Sequence, residues 1–147
     1  MYVNVYRFGN KPEGYWFSFS VYHNLLEYSK TKTVGGKYLY KYQIEIEHPL
    51  MYYVKRCMNA VFPLLLYRDK IGEISDDYFT NHTIYEKELA NLLKKEGYDS
   101  VIFINPSCKN MNLEKTKGMI DLWLLYPLTH YFNYISGIIP AEMIRGK

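Results

Sequence analysis

Hydrophobic and polar residues alternate most regularly between positions 37 and 47 of the chain. Successive side chains of a β-strand point to opposite faces, so this alternation predicts a strand with one apolar face. The residues of that apolar face are Tyr38, Tyr40, Tyr42, Ile44 and Ile46. Shorter segments rich in β-branched and aromatic residues predict further strands at 1–8, 15–18, 101–104 and 120–126.

An amphipathic helix is predicted over residues 83–95, where leucines recur at helical spacing. Thr83 is its expected N-cap, with Glu86 three residues later, and Gly97 is expected to end it. The residues expected to face inward are Leu89, Leu92 and Leu93.

A second, shorter helix is predicted over 21–30, and polar residues from 105 to 118 predict a loop. The segment 51–70 is ambiguous, with helices on either side of Pro63 as one interpretation. Because strands and helices do not alternate regularly, this order favours an α+β fold over a doubly wound α/β fold. The length of 147 residues fits a single domain over 1–147.

Composition and charge exclude several classes of protein. Hydrophobic residues make up 48% of the chain and charged residues 22%, as in ordinary globular proteins, and the longest apolar run, 60–67, is too short to span a membrane. The net charge of +3, without a Lys/Arg block longer than two residues, disfavours a nucleic-acid partner but leaves it open as an alternative. Cys57 and Cys108 lack the spacing of metal ligands, and the N-terminus does not resemble a signal peptide. We therefore expect a cytoplasmic protein without a metal site.

Residues with chemical potential follow one another in a particular order along the chain. Arg7 ends the first predicted strand beside Gly9, and a Gly-Tyr-Trp-Phe-Ser segment over 14–18 forms the second strand. A Gly-Tyr-Asp segment over 97–99 leads into a later strand, and Asp121 opens the last predicted one.

This order, which spans residues 2–127, resembles that of the NAD-dependent mono-ADP-ribosyltransferases, most closely their Arg-Ser-Glu branch. The resemblance implies an ADP-ribosyltransferase-like fold of split, antiparallel-rich sheets with flanking helices, and NAD as a co-substrate. It implies that Arg7 holds the NAD phosphates or ribose, which suits a permanently charged guanidinium, and that Ser18 braces the pocket by hydrogen bonding. The other residues that the resemblance implies for NAD binding are Phe8, Gly9, Phe17, Tyr22 and Tyr28.

The catalytic acid of that family is usually Glu, and the matching position in this chain is Asp121. Breaking the bond between nicotinamide and ribose develops positive charge on the sugar, which a neighbouring carboxylate stabilises. Glu114, seven residues upstream, is the alternative acid. A second departure is Phe8, which stands where some members have a glycine whose backbone binds the nicotinamide amide.

The resemblance implies transfer of ADP-ribose from NAD to a macromolecular acceptor, in the first place a protein side chain, with release of nicotinamide. An enzyme of this size fits a phage-encoded modifier of a host or defence protein, or an intracellular toxin. Two alternatives stay open. One is an NAD glycohydrolase, in which water replaces the acceptor. The other is a catalytically inactive protein of the same fold that inhibits a partner by binding it.

Overall fold

Seven strands and three helices make up the described part of the chain, which a computed structural model gives as residues 1–19, 36–54, 62–75, 78–105 and 119–145. The strands are β1 (Tyr2–Gly9), β2 (Trp16–Ser18), β3 (Tyr38–Glu45), β4 (Pro49–Tyr53), β5 (Ser100–Asn105), β6 (Met119–Leu124) and β7 (Asn133–Pro140). The helices are α1 (Phe62–Lys70), α2 (Tyr78–Lys95) and α3 (Glu142–Arg145), with a 3-10 turn at Leu128–His130. This mixture confirms the predicted α+β class.

The described strands form one sheet in the order β4-β5-β6-β2-β1-β3-β7. The β4–β5 pair is parallel and the other pairs are antiparallel. This corrects the expectation of two split sheets, because β2 pairs with β1 on one side and with β6 on the other. Ser18 faces Tyr6 across the first pairing and Asp121 across the second.

The strands predicted from alternation are confirmed, with ends that differ by a few residues. The sequence missed β4 and β7, which lie at the two edges of the sheet. Edge strands expose much of their surface, as Tyr53 of β4 (64% exposed) and Ile138 of β7 (54% exposed) illustrate. Such strands lack the buried, alternating face on which the sequence prediction depends.

Two helix boundaries differ from expectation. Pro63 lies in the first turn of α1 and not between two helices. Proline is tolerated there because the N–H groups of a first turn have no hydrogen-bond partner within the helix, so the missing N–H costs nothing. Helix α2 consists of two helical segments joined at Asn81, whose backbone is non-helical (φ −117°, ψ 24°). The second segment begins directly after Asn81, so the predicted start is nearly right, and Thr83 lies in its first turn and not at the N-cap. The predicted end at Gly97 is confirmed, since this residue adopts a φ of +96°, which favours glycine.

The sheet has two differently covered faces. One face packs against α1 and α2, and we call it the helix face. On this face Leu66, Leu89 and Leu93 pack in one cluster with Phe103 and Trp123. The opposite face carries a second buried cluster, which consists of Val3, Val5, Phe17, Tyr40, Tyr42, Ile44, Ile46, Ile102, Leu122, Leu124 and Tyr131. The predicted inward position is confirmed for Leu89 and Leu93, which are fully buried, whereas Leu92 is half-buried.

None of the described helices is both long and apolar enough to cross a membrane.

Candidate functional site

Ser18 and Asp121 lie directly opposite each other where β2 pairs with β6. Directly opposed residues of an antiparallel pair share one face, with Cβ atoms about 4.5–5.5 Å apart. On the other side of β6, Phe103 of β5 faces Asp121. Because Phe103 belongs to the cluster beneath the helices, the Ser18–Asp121 pair lies on the helix face.

Aromatic rings flank this pair. Trp16, two residues before Ser18, faces Trp123, two residues after Asp121, and their rings stack with centroids 5.6 Å apart. The Trp16 ring also stacks on Phe103 at 5.5 Å. Asp121 therefore shares its face of the sheet with these three rings, and Phe103 is its direct neighbour across the strand pair.

The surroundings of Asp121 change its acidity. Ser18 is 8% exposed and Asp121 is partly buried. Burial disfavours the charged form of a carboxyl group, and it raises the pKa of Asp121 to about 7. Asp121 is therefore present in both its protonated and its ionised form near neutral pH.

Arg7 does not join this pair. Tyr6 is the β1 residue that faces Ser18, and Arg7, the next residue along β1, faces Tyr40 of β3. Adjacent residues of a strand point to opposite faces, so the Arg7 side chain lies on the opposite face from Ser18 and Asp121.

The Arg7 guanidinium is held by the loop that follows β1. Its Nη1 donates a hydrogen bond to the carbonyl oxygen of Lys11 at 2.8 Å. A Cβ atom on Gly14 would lie 2.6 Å from Cζ and Nε of Arg7, so the loop passes this close because residue 14 is glycine. Burial raises the pKa of the Tyr42 hydroxyl, and a hydrogen bond with Arg7 partly offsets the rise.

The remaining residues expected to bind NAD divide between core and undescribed positions. Phe8 and Phe17 are each 3% exposed; Phe8 packs with Leu39, and the Phe17 ring meets Tyr42 edge-on at 5.1 Å on the opposite face. Gly9 lies against the Arg7 guanidinium. The two other residues expected to bind NAD, Tyr22 and Tyr28, and the alternative catalytic acid Glu114 fall outside the described residues.

The sequence interpretation missed Phe103 and Trp123 as walls of the site. A signal for Trp123 was present, since it lies two residues from Asp121 and so shares its face. Within the described residues, no group of three or more His, Cys, Asp or Glu side chains could hold a metal ion. No protein-family model, curated protein or solved structure matches the chain.

Proposed function

We propose that this protein transfers ADP-ribose from NAD to a macromolecular acceptor, with Asp121 as the residue that stabilises the reacting sugar. The observation that carries the proposal is the Ser18–Asp121 pair, an opposed hydroxyl and carboxyl group beside three aromatic rings. The order of Ser18 and Asp121 along the chain adds support through the family resemblance.

The proposed reaction breaks the bond between C1′ of the ribose and the nicotinamide nitrogen. The bonding electrons leave with nicotinamide, and positive charge develops on the sugar as it does in glycoside hydrolysis. Ionised Asp121 stabilises that charge, and its poorly solvated position strengthens the attraction. The acceptor then bonds to C1′ and releases a proton.

The aromatic wall supports NAD as the substrate. The nicotinamide ring of NAD is a flat cation, and such rings bind favourably against tryptophan. Trp16 is half-buried and is the ring of this wall that a ligand can reach, since Phe103 and Trp123 are buried in the core. The Ser18 hydroxyl, directly across from Asp121, is the group that would position a ribose hydroxyl.

Arg7 takes a different part in this proposal from the one that the resemblance implies. Its guanidinium bonds to Lys11 and packs against Gly14 on the opposite face, so it acts as a positioning residue for the loop between β1 and β2. That loop leads directly into Trp16 and Ser18, which links Arg7 to the site through the backbone.

A second candidate function is that of a protein-binding module without catalysis. The observation that favours it is the placement of Arg7 on the opposite face from Asp121, which leaves the pair without the cation expected to bind the NAD phosphates. NAD hydrolysis, with water as the acceptor, would use the same residues as transfer.

Release of nicotinamide from NAD by the purified protein tests the proposal. We expect turnover by the unaltered protein and a loss of about 10²–10³-fold in Asp121→Asn, because the charge that stabilises the sugar is removed. Glu73→Gln is the matched control, since Glu73 is exposed and belongs to neither face of the site. Labelled NAD added with cell lysate separates transfer to a protein from hydrolysis. Equal turnover in Asp121→Asn would overturn the role of Asp121, and an unaltered protein that neither binds nor cleaves NAD would leave the binding module.

A further inference from the structure

A separate cleft lies beyond the end of β6. Leu124 ends this strand and follows Asp121 by three residues, or about 10 Å, and the cleft begins past that point. It has a volume of about 260 Å³. The elements around it are the end of β3, the C-terminal end of α2 and the turn after β6, and we name it the Tyr126 cleft after one of its lining residues.

The floor of the Tyr126 cleft is fixed by the buried carboxylate of Asp99. That carboxylate accepts hydrogen bonds from the backbone N–H groups of Glu47 (2.7 Å) and His48 (3.2 Å) and from the Ser100 hydroxyl (2.8 Å). The Tyr131 hydroxyl donates to the backbone carbonyl of Asp99. The residues that line the cleft are therefore held in place before any ligand arrives, which lowers the entropic cost of binding.

The charge of the cleft is opposite in sign to that of the whole chain. Glu45, Glu47 and Asp99 line it with negative charge, against the positive charge of Lys94, with histidines counted as neutral. The C-terminal end of α2 adds partial negative charge from its last carbonyl groups. A chain with a net charge of +3 thus contains a cleft that favours cations.

The aromatic wall of the cleft already contacts a cation. The Tyr126 ring stacks on His130 with centroids 3.9 Å apart, and the Lys94 ammonium lies 4.6 Å from the Tyr126 centroid. This is the geometry of a cation–π contact. The Tyr126 ring therefore accepts an alkylammonium group, and a ligand cation would compete with Lys94 for this position.

We propose that the Tyr126 cleft binds an organic cation, an alkylammonium or guanidinium group, beside the carboxylates of Glu45 and Glu47, where it replaces the Lys94 ammonium on the Tyr126 ring. Its volume corresponds to roughly nine water molecules and lies below the range of about 300–1,000 Å³ for drug-sized ligands. The end of a lysine or arginine side chain, or a small polyamine, fits such a space, whereas a dinucleotide does not. The inference does not depend on NAD chemistry at Asp121.

Titration followed by NMR tests the proposal with four probes, all used with the full chain. Spermidine represents free polyamines, and acetyl-Gly-Arg-Gly-amide and acetyl-Gly-Lys-Gly-amide represent protein side chains. The fourth probe replaces arginine by uncharged citrulline. We expect saturable shifts in signals of Glu47, His48 and Tyr126 with at least one cationic probe and none with the citrulline peptide. The probe that binds more tightly identifies the source of the cation.

Variants then separate specific binding from general attraction. We expect the Glu45→Gln/Glu47→Gln double variant to weaken binding at least tenfold, and Glu73→Gln, which removes an exposed charge elsewhere, to leave it unchanged. Lys94→Met should tighten binding several-fold, because it frees the Tyr126 ring from the internal ammonium. If the double variant does not fold, Glu47→Gln alone replaces it. This single substitution should keep the fold, because Glu47 binds Asp99 through its backbone N–H and its side chain is 72% exposed. Equal binding of the citrulline peptide, or unchanged binding in the Gln variants, would overturn the proposal.

Discussion

Asp99 and Asp121 lie at neighbouring strands of one sheet and are both withdrawn from water, but their surroundings differ. Asp99, which precedes β5, is 8% exposed and accepts hydrogen bonds from two backbone N–H groups and one hydroxyl. Asp121 in β6 lies beside aromatic rings, and burial raises its pKa to about 7. The two carboxyl groups thus differ in their surroundings: three hydrogen-bond donors hold the Asp99 carboxylate, whereas Asp121 neighbours aromatic rings and burial raises its pKa.

The two carboxyl groups therefore have different roles in the protein. The donors around Asp99 join the segment after β3 to the start of β5, so this residue holds the fold together. Asp121 has a titration range that includes neutral pH, and the protein bears a cost for its ionisation. A residue that costs stability in its charged form is a candidate for function.

The largest expected effect on stability comes from replacing aspartate by asparagine, which should stabilise the protein at Asp121 and destabilise it at Asp99. The pKa of Asp121 is about 7 in the folded protein and about 3.9 in the unfolded chain. The free energy of unfolding therefore carries no penalty from this group below about pH 4, and it falls as the pH rises through 7. Above that range the folded protein carries a poorly solvated charge that costs at most about 4 kcal/mol. Asp121→Asn should therefore be more stable than the unaltered protein at pH 8 by up to that amount.

Urea unfolding at pH 4 and at pH 8 measures this effect. The gain of Asp121→Asn should be confined to the higher pH, since the unaltered carboxyl group is protonated in the folded protein at pH 4. Glu73→Gln, at an exposed position, should show no such pH-dependent gain. Equal changes at the two pH values would contradict the burial of a titrating Asp121.

The same substitution at Asp99 should have the opposite sign. Asparagine retains one acceptor oxygen and presents an NH₂ group to backbone N–H donors, so hydrogen bonds to a charged acceptor are lost. Such bonds contribute about 1.5–3 kcal/mol each, and we expect Asp99→Asn to lose about 3 kcal/mol in the free energy of unfolding at pH 7. If urea unfolding gave a gain for both Asp→Asn variants, the contrast between the two sites would be wrong.

A smaller effect sharpens the account of Asp99. Ser100 is fully buried and its hydroxyl donates to Asp99 at 2.8 Å. Ser100→Ala should cost about 1–2 kcal/mol in urea unfolding, because it removes one of the donors to a buried carboxylate. Ser136→Ala, at an exposed position of β7, is the control and should change stability by less than about 0.5 kcal/mol. A Ser100→Ala variant as stable as that control would mean that Asp99 does not depend on this donor.

Strands with one buried face could be predicted from the sequence because burial imposes a period of two, as it does along β3. The residue types and the order of Ser18 and Asp121 also identified them as candidates. Their direct opposition could not be predicted, because it depends on the register between two strands about a hundred residues apart. The face of Arg7 depends on a second register, that between β1 and β2, since a shift by one residue there would have placed Arg7 opposite Ser18 in the position that Tyr6 occupies.

The short strand β2 makes the sheet continuous with three residues. In the described part of the chain it lies between β6 and β1, so releasing its pairings divides the sheet into the halves β4-β5-β6 and β1-β3-β7, each of which keeps its own hydrogen-bond ladder. Opening of the sheet at β2 requires less free energy than global unfolding. Because the Ser18–Asp121 pair belongs to the β2–β6 pairing, such opening would admit water to Asp121 and lower the pKa of its carboxyl group toward the ordinary value. Proton release from Asp121 and separation of the two halves of the sheet are thereby thermodynamically linked.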